Sequence, residues 1–275
     1  MSASLAAAPP VAVVTGSSSG IGRATAIELT RGGFAVVLHA RSNLAGLQRV
    51  AAELQAMSSP GSPQVLCVTG DIACPRACQD MVAAAFGWRG RVDAWVNNAG
   101  ADVLTGDARQ QSFAARLQRL CEVDVQGTVR LSRLVAPRML SQTPRAVVSP
   151  ALSPPLPCIV NLGWDQAQLG MEGEPGQLFG TTKAAVAAFT MSLALSYPGL
   201  RVNCVAPGWI QTEWGQTSAN SYWAQRAADE SLQQRWGTAQ DVAHTIAWLL
   251  ADASSFVNGQ TIAVNGGRRY YPPSR

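Results

Sequence analysis

The stretch VAVVTGSSSGIGRATAIELTR, residues 11–31, decides how this chain folds. A β-rich run, VAVVT, passes straight into GSSSGIG, and a helix is expected to begin near Arg23. Gly16, Gly20 and Gly22 give the spacing G-x-x-x-G-x-G. Glycines allow a tight turn and a close backbone approach, and the N-terminus of the helix that follows favours an anion. Strand, glycine loop and helix in that order predict a diphosphate-binding turn at the start of a parallel sheet.

Outward from this unit the pattern repeats. AVVLH (35–39), QVLCVT (64–69), VDAWVN (92–97), CIVNL (158–162), RVNCVA (201–206) and TIAVN (261–265) alternate with amphipathic segments such as LAGLQRVAAELQAM. Near-continuous apolar strands alternating with helices indicate a parallel sheet covered on both faces. The expected fold is a single α/β, Rossmann-type doubly wound domain of about seven strands over residues 11–267, with tails at 1–10 and 268–275. Two segments break the alternation. Residues 141–157 hold five prolines and lie before a strand, so they read as a surface loop at the edge remote from ligand. Residues 208–237 leave the carboxyl edge carrying Trp209, Trp214, Tyr222, Trp223 and Trp236, which is where a lid over a substrate would sit.

Composition narrows the function classes. Hydrophobic residues make up 47% and charged residues 14%, which suits a wide buried sheet with further apolar area covered by subunit contacts. A net charge of +4 from scattered basic residues leaves no nucleic-acid footprint. Cys67, Cys74, Cys78, Cys121, Cys158 and Cys204 form neither a C-x-x-C pair nor a zinc spacing, and read as small buried residues in a reducing compartment. His39 and His244 are too separated for a metal site. No uninterrupted apolar run reaches membrane-span length, and MSASLAAAPP lacks a positive n-region, so a cytoplasmic protein is expected.

TGSSSGIG at 15–22, NNAG at 97–100, a lysine in the helix after the fifth strand and PGWIQT at 207–212 together resemble the short-chain dehydrogenase/reductase family over about residues 11–266. The resemblance implies that Gly16, Ser18, Ser19, Gly20, Ile21 and Gly22 line the diphosphate of a nicotinamide dinucleotide. It implies that Asp71 and Ile72 hold the adenine and that Asn98, Ala99 and Gly100 flank the cofactor. Pro207, Gly208, Ile210 and Thr212 would meet the nicotinamide carboxamide. The second strand ends VVLHARSN, with Ala40 where an acid would bind a free ribose hydroxyl and Arg41 next, which favours NADP(H) over NAD(H).

In similar enzymes a tyrosine, a serine, a lysine and an asparagine cooperate in general acid catalysis. Here QLFGTTKAAVAAF, 177–189, keeps Lys183, but Phe179 stands where the tyrosine would. The serine position falls on Gly163 or Trp164, and the asparagine position is Asp124. Losing a positioned acid costs roughly 10²–10⁴ in rate, so an ordinary ketone reductase is disfavoured. Three readings follow. Asp165, beside Trp164, would be a replacement acid for a pterin, iminium or quinone, in partial likeness to the pteridine reductases. Asp124 resembles the aspartate of 2,4-dienoyl-CoA reductases, which reduce conjugated thioesters, or else pairs structurally with Lys183. The third reading is a silent cofactor-binding pseudoenzyme serving as sensor or oligomer partner.

The aromatic residues suggest a flat, apolar or aromatic small-molecule substrate. The helix FGTTKAAVAAFTMSLALSY, 179–197, is apolar around much of its circumference, and VRLSRLVAPRML is so in part. Relatives associate through these helices, which implies a homodimer or homotetramer here.

Overall fold

A computed structural model describes residues 8–57, 65–143, 156–212 and 221–269. Seven parallel strands form one sheet: β1 (Val11–Val14), β2 (Ala35–Ala40), β3 (Val65–Thr69), β4 (Ala94–Asn97), β5 (Cys158–Leu162), β6 (Arg201–Pro207) and β9 (Thr261–Val264). Their order is β3-β2-β1-β4-β5-β6-β9, so the order reverses between β1 and β4. A crevice opens at the carboxyl ends of strands at such a reversal. A separate parallel pair joins β7 (Ile210–Gln211) to β8 (Gly237–Thr238).

Side-chain alternation sends one set of strand residues to each face. Ala12, Val14, Val36, Leu38, Val96 and Val160 pack with α1 (Gly20–Arg31), α2 (Leu44–Ala56) and α9 (Ala239–Leu250). Val11, Val13, Val37, Trp95, Ile159 and Val202 pack with α3 (Pro75–Arg89), α5 (Thr128–Leu140) and α7 (Gly173–Ser196). Every strand from β1 to β6 except β3 is buried on both faces, which explains the unbroken apolar runs.

A buried polar ladder fixes the middle of this sandwich. Asn97 Nδ2 donates to Asn161 Oδ1 at 2.8 Å and to Ser132 Oγ at 2.9 Å, while Asn161 Nδ2 donates to Thr190 Oγ1 at 2.9 Å. The ladder ties β4 and β5 to α5 and α7, and a buried network with its groups satisfied specifies one register.

Several details differ from the sequence reading. α1 begins at Gly20, three residues before Arg23, because Ser19 is extended and its carbonyl already accepts from Arg23 N–H at 3.0 Å. Cys78, Cys158 and Cys204 are buried, but Cys74 is exposed and Cys67 and Cys121 are intermediate. α7 is long and apolar enough to cross a bilayer by length and composition, yet it packs on β6 and buries Leu178, Thr182, Val186 and Leu193. Most of the proline-rich stretch, the 213–220 part of the lid segment with Trp214, and residues 270–275 of the tail lie outside the described residues.

Candidate active site

The glycine loop is built by close approach. Gly16 has φ +66°, and a Cβ there would lie 2.8 Å from Ala99 Cα; a Cβ on Gly22 would lie 2.3 Å from the Gly16 carbonyl oxygen. Gly20, at φ +54°, is also in the region that favours glycine. Ser19 opens α1 without any side-chain cap, so the first-turn amides keep free donors at the carboxyl edge. This uncapped helix end and the missing Cβ atoms fit a diphosphate.

Residues that sequence reasoning passed over hold the loop. Thr15 Oγ1 accepts from the amides of Asn98 and Ala99, each at 2.9 Å, and Asn98 Nδ2 donates to the Thr15 carbonyl at 2.8 Å. Ser17 N–H donates to the His39 carbonyl at 2.8 Å, and His39 N–H donates to Ser17 Oγ at 2.9 Å. The His39 ring bridges Gly16 N–H, 3.4 Å from Nδ1, and the Gly70 carbonyl, 2.9 Å from Nε2. The sequence signal was available: a polar ring ends an otherwise apolar strand. Burial depresses the His39 pKa, while the Gly70 carbonyl and nearby Asp71 act against that shift.

Arg41 is exposed just after β2. Asp71 accepts from Ala73 N–H at 3.0 Å and from Arg119 Nη2 at 2.8 Å. Burial would raise the Asp71 carboxyl, but the Ala73 and Arg119 hydrogen bonds outweigh it, aided by Arg41, and hold it below the usual range. Ile72 is buried against Gly127, where an added Cβ would come within 2.8 Å of its Cδ1.

At the carboxyl edge lies a cleft of about 1010 Å³. Ile21, Asn98, Gly163, Trp164, Phe179, Lys183, Pro207, Gly208, Ile210 and Thr212 all line it, so the fold brings these predicted residues together. Trp209, Trp223 and Trp236 line it too. Between α4 (Phe113–Leu120) and α5 the helix widens to π geometry over Cys121–Gly127, with Asp124 at its centre. Single π turns recur at functional sites because the wider turn re-aims a side chain. Asp124, 2% exposed, accepts from Lys183 Nζ at 2.9 Å and from Ala101 N–H at 2.8 Å. Lys183 Nζ also donates to the Leu162 carbonyl at 3.1 Å. Phe179, one turn before Lys183, meets Trp164 edge-on with centroids 6.3 Å apart and packs on Val103, Leu120 and Leu178.

Asp165, just before α6 (Gln166–Leu169), does not line the cleft; it lines a separate cavity of about 10 Å³ with Glu230 and Arg268. Asp165 Oδ2 accepts from Asn265 Nδ2 at 3.0 Å, and Gly208 stands close enough that an added Cβ would lie 3.2 Å from that oxygen. Burial raises the Asp165 pKa, against the Asn265 hydrogen bond and Arg268. A raised pKa alone does not make an acid for this site: Asp165 lines the separate cavity and not the cleft, and its carboxylate is bonded to Asn265, so the expectation that Asp165 protonates substrate is corrected.

Trp223, which lines the cleft, stands on α8 (Ser221–Glu230). Arg226 on α8 reaches Glu172 with Nη1 at 2.5 Å and Nη2 at 2.9 Å, and Glu230 with Nε at 2.6 Å. Its guanidinium lies 5.7 Å from the Trp209 ring centroid and 5.5 Å from that of Trp223. Trp209 Nε1 donates to Glu230 Oε2 at 2.8 Å.

Residues 16–269 match a family model described as enoyl-(acyl carrier protein) reductase. The chain is 30% identical over 260 residues to the uncharacterized oxidoreductase YgfF of Escherichia coli K12, covering 94% of this chain and 99% of that one. It is 31% identical over 265 residues to the 3-oxoacyl-[acyl-carrier-protein] reductase FabG of Staphylococcus epidermidis, covering 93% and 97%. A crystal structure of a short chain dehydrogenase from Burkholderia cenocepacia J2315 in complex with NADP superposes with a TM-score of 0.77 at 26% identity, covering 94% and 97%.

Proposed function

Because the chain belongs to the short-chain dehydrogenase/reductase family, we propose that it is an NADP(H)-dependent reductase whose proton comes from Lys183 rather than from a phenol. The observation that carries this reading is the Lys183–Asp124 pair at 2.9 Å, in the cleft where Phe179 offers no proton. The glycine loop and the uncapped start of α1 hold the diphosphate, and Arg41, with no acid at Ala40, meets a 2′-phosphate. A relative bound to NADP supports the same choice of cofactor.

When bound, the reduced nicotinamide supplies a hydride to one atom of a polarised C=N, C=O or C=C bond. Lys183 Nζ gives a proton to the other atom and regains one from solvent through the cleft. Asp124 keeps the lysine's position and balances its charge, and its other oxygen stays fixed by Ala101 N–H. Asn98, Pro207, Gly208, Ile210 and Thr212 orient the nicotinamide end, while Trp164 and Phe179 form an apolar wall that excludes water. Substrates that need little acid assistance, such as an imine, a quinone or a conjugated enoyl thioester, suit this arrangement.

A second reading, cofactor binding without turnover, draws on one feature: Phe179 fills the phenol's place with apolar packing against Trp164 and Leu178. The test that separates them is a titration with NADPH and NADH, read by energy transfer from tryptophan, followed by a screen of quinones, imines and enoyl thioesters. Tighter NADPH binding with oxidation of NADPH by one of these classes supports the reductase. NADPH binding with no oxidation across the screen supports the silent protein, and tighter NADH binding overturns the role of Arg41.

A further inference from the structure

The cleft has one uneven feature. Most of its wall is aromatic or aliphatic, yet the turn Gly106–Gln110 presents two polar side chains to it, Arg109 and Gln110. Neither side chain has a hydrogen-bond or ion-pair partner among the described residues. The other basic group in the lining, Lys183, is already paired with Asp124. Asp102 also lines the cleft, but its own turn occupies its oxygens: Oδ1 accepts from the Leu104 and Thr105 amides at 2.9 and 3.1 Å, and Oδ2 meets Thr105 Oγ1. Among the described residues Arg109 is therefore an unopposed guanidinium lining an aromatic slot.

A guanidinium presents a planar fork that matches a carboxylate with two parallel hydrogen bonds. We propose that Arg109, assisted by Gln110, is a specificity-determining residue that selects substrates with an aromatic or apolar body carrying a carboxylate. The body lies among Trp164, Trp209 and Trp223, and the carboxylate meets Arg109 at the rim. This deepens the reductase reading and rests on its assignment of the cleft as the substrate site.

The test is binding, which does not depend on hydride transfer. Quenching of tryptophan fluorescence by 2-naphthoate is compared with quenching by the neutral 2-naphthamide, using the full chain saturated with NADPH. The expected result is a preference for naphthoate of roughly tenfold or more, abolished in Arg109→Ala and partly regained in Arg109→Lys. NADPH affinity and melting temperature stay at wild-type values in both variants, since the Arg109 side chain holds no other group among the described residues. Equal binding of the two probes, no binding of either, or a preference that survives Arg109→Ala overturns the proposal. So does a loss of NADPH affinity in Arg109→Ala, which would move the arginine to the cofactor. If naphthoate preference holds while no substrate is turned over, the reductase reading fails and the anion selectivity stands.

Discussion

At the scale of single residues, Phe179 is the most informative position. That Phe179 stands where the resemblance implies a tyrosine was legible because Lys183 follows four residues on. Which group would donate a proton in place of a phenol was not legible. Asp165 looked favourable by adjacency to Trp164, but the chain has left β5 at Leu162, and the Asp165 carboxylate accepts from Asn265. Asp124 could be weighed only as an ambiguous residue until the π turn showed it against Lys183. Phe179→Tyr should restore a donor one turn before Lys183. A positioned acid contributes roughly 10²–10⁴, and the gain expected on a simple ketone is at the lower end because Gly163 and Trp164 supply no hydroxyl. Steady-state kcat on that ketone checks this; no gain would show that the cleft does not seat a carbonyl at Phe179.

His39 makes the second prediction at this scale. Its pKa in the folded chain is below the ordinary 6.5, so the native state binds fewer protons than the unfolded chain. Its stabilising contribution is full above about pH 6.5 and is lost as pH falls from there towards the folded value. Protonation turns Nδ1 into a donor against Gly16 N–H, with Asp71 the nearby charge that opposes the shift. Thermal melting should therefore drop between about pH 7 and pH 5, and His39→Gln should shrink that drop. An equal drop in the variant would contradict the assignment.

At the scale of elements, the strands and the glycine turn were legible because buried parallel strands write unbroken apolar runs and the turn needs residues without Cβ atoms. The π turn was not, since one extra residue in a helical turn leaves no mark in apolar periodicity. That tryptophans of 208–237 line the cleft was legible, but the contact that anchors α8 was not: Arg226 and Glu172 are 54 residues apart. We propose that α8 closes the substrate cleft through this contact. Arg226→Ala should raise KM several-fold with a smaller fall in kcat, because the guanidinium holds α8 across the cleft without reaching the reacting groups. A fall confined to kcat, with KM unchanged, would argue against a lid.

At the scale of the whole molecule, α7 carries both the site and an uncovered surface. Its inner positions hold Lys183 and the Thr190 end of the polar ladder, while Ala188, Met191 and Leu195 face outward, Leu195 at 84% exposure. The apolarity of this helix was legible; which residues stay open was not, because a helix greasy all round shows no periodic face. We propose that a second copy of the chain covers this stripe, giving a dimer or tetramer. Light scattering at micromolar concentration should report that assembly, and Leu195→Arg should dissociate it by burying an unpaired charge. A wild-type monomer would refute the proposal.

We propose that Lys183, held by Asp124, supplies the proton that Phe179 does not. The direct measurement is NADPH oxidation by the wild-type chain and by Lys183→Met, with the best substrate from the screen and with NADPH occupancy matched by the tryptophan titration. Turnover by the wild type and a loss of roughly 10² or more in Lys183→Met at equal occupancy are expected. Turnover that persists in Lys183→Met would contradict the proposal.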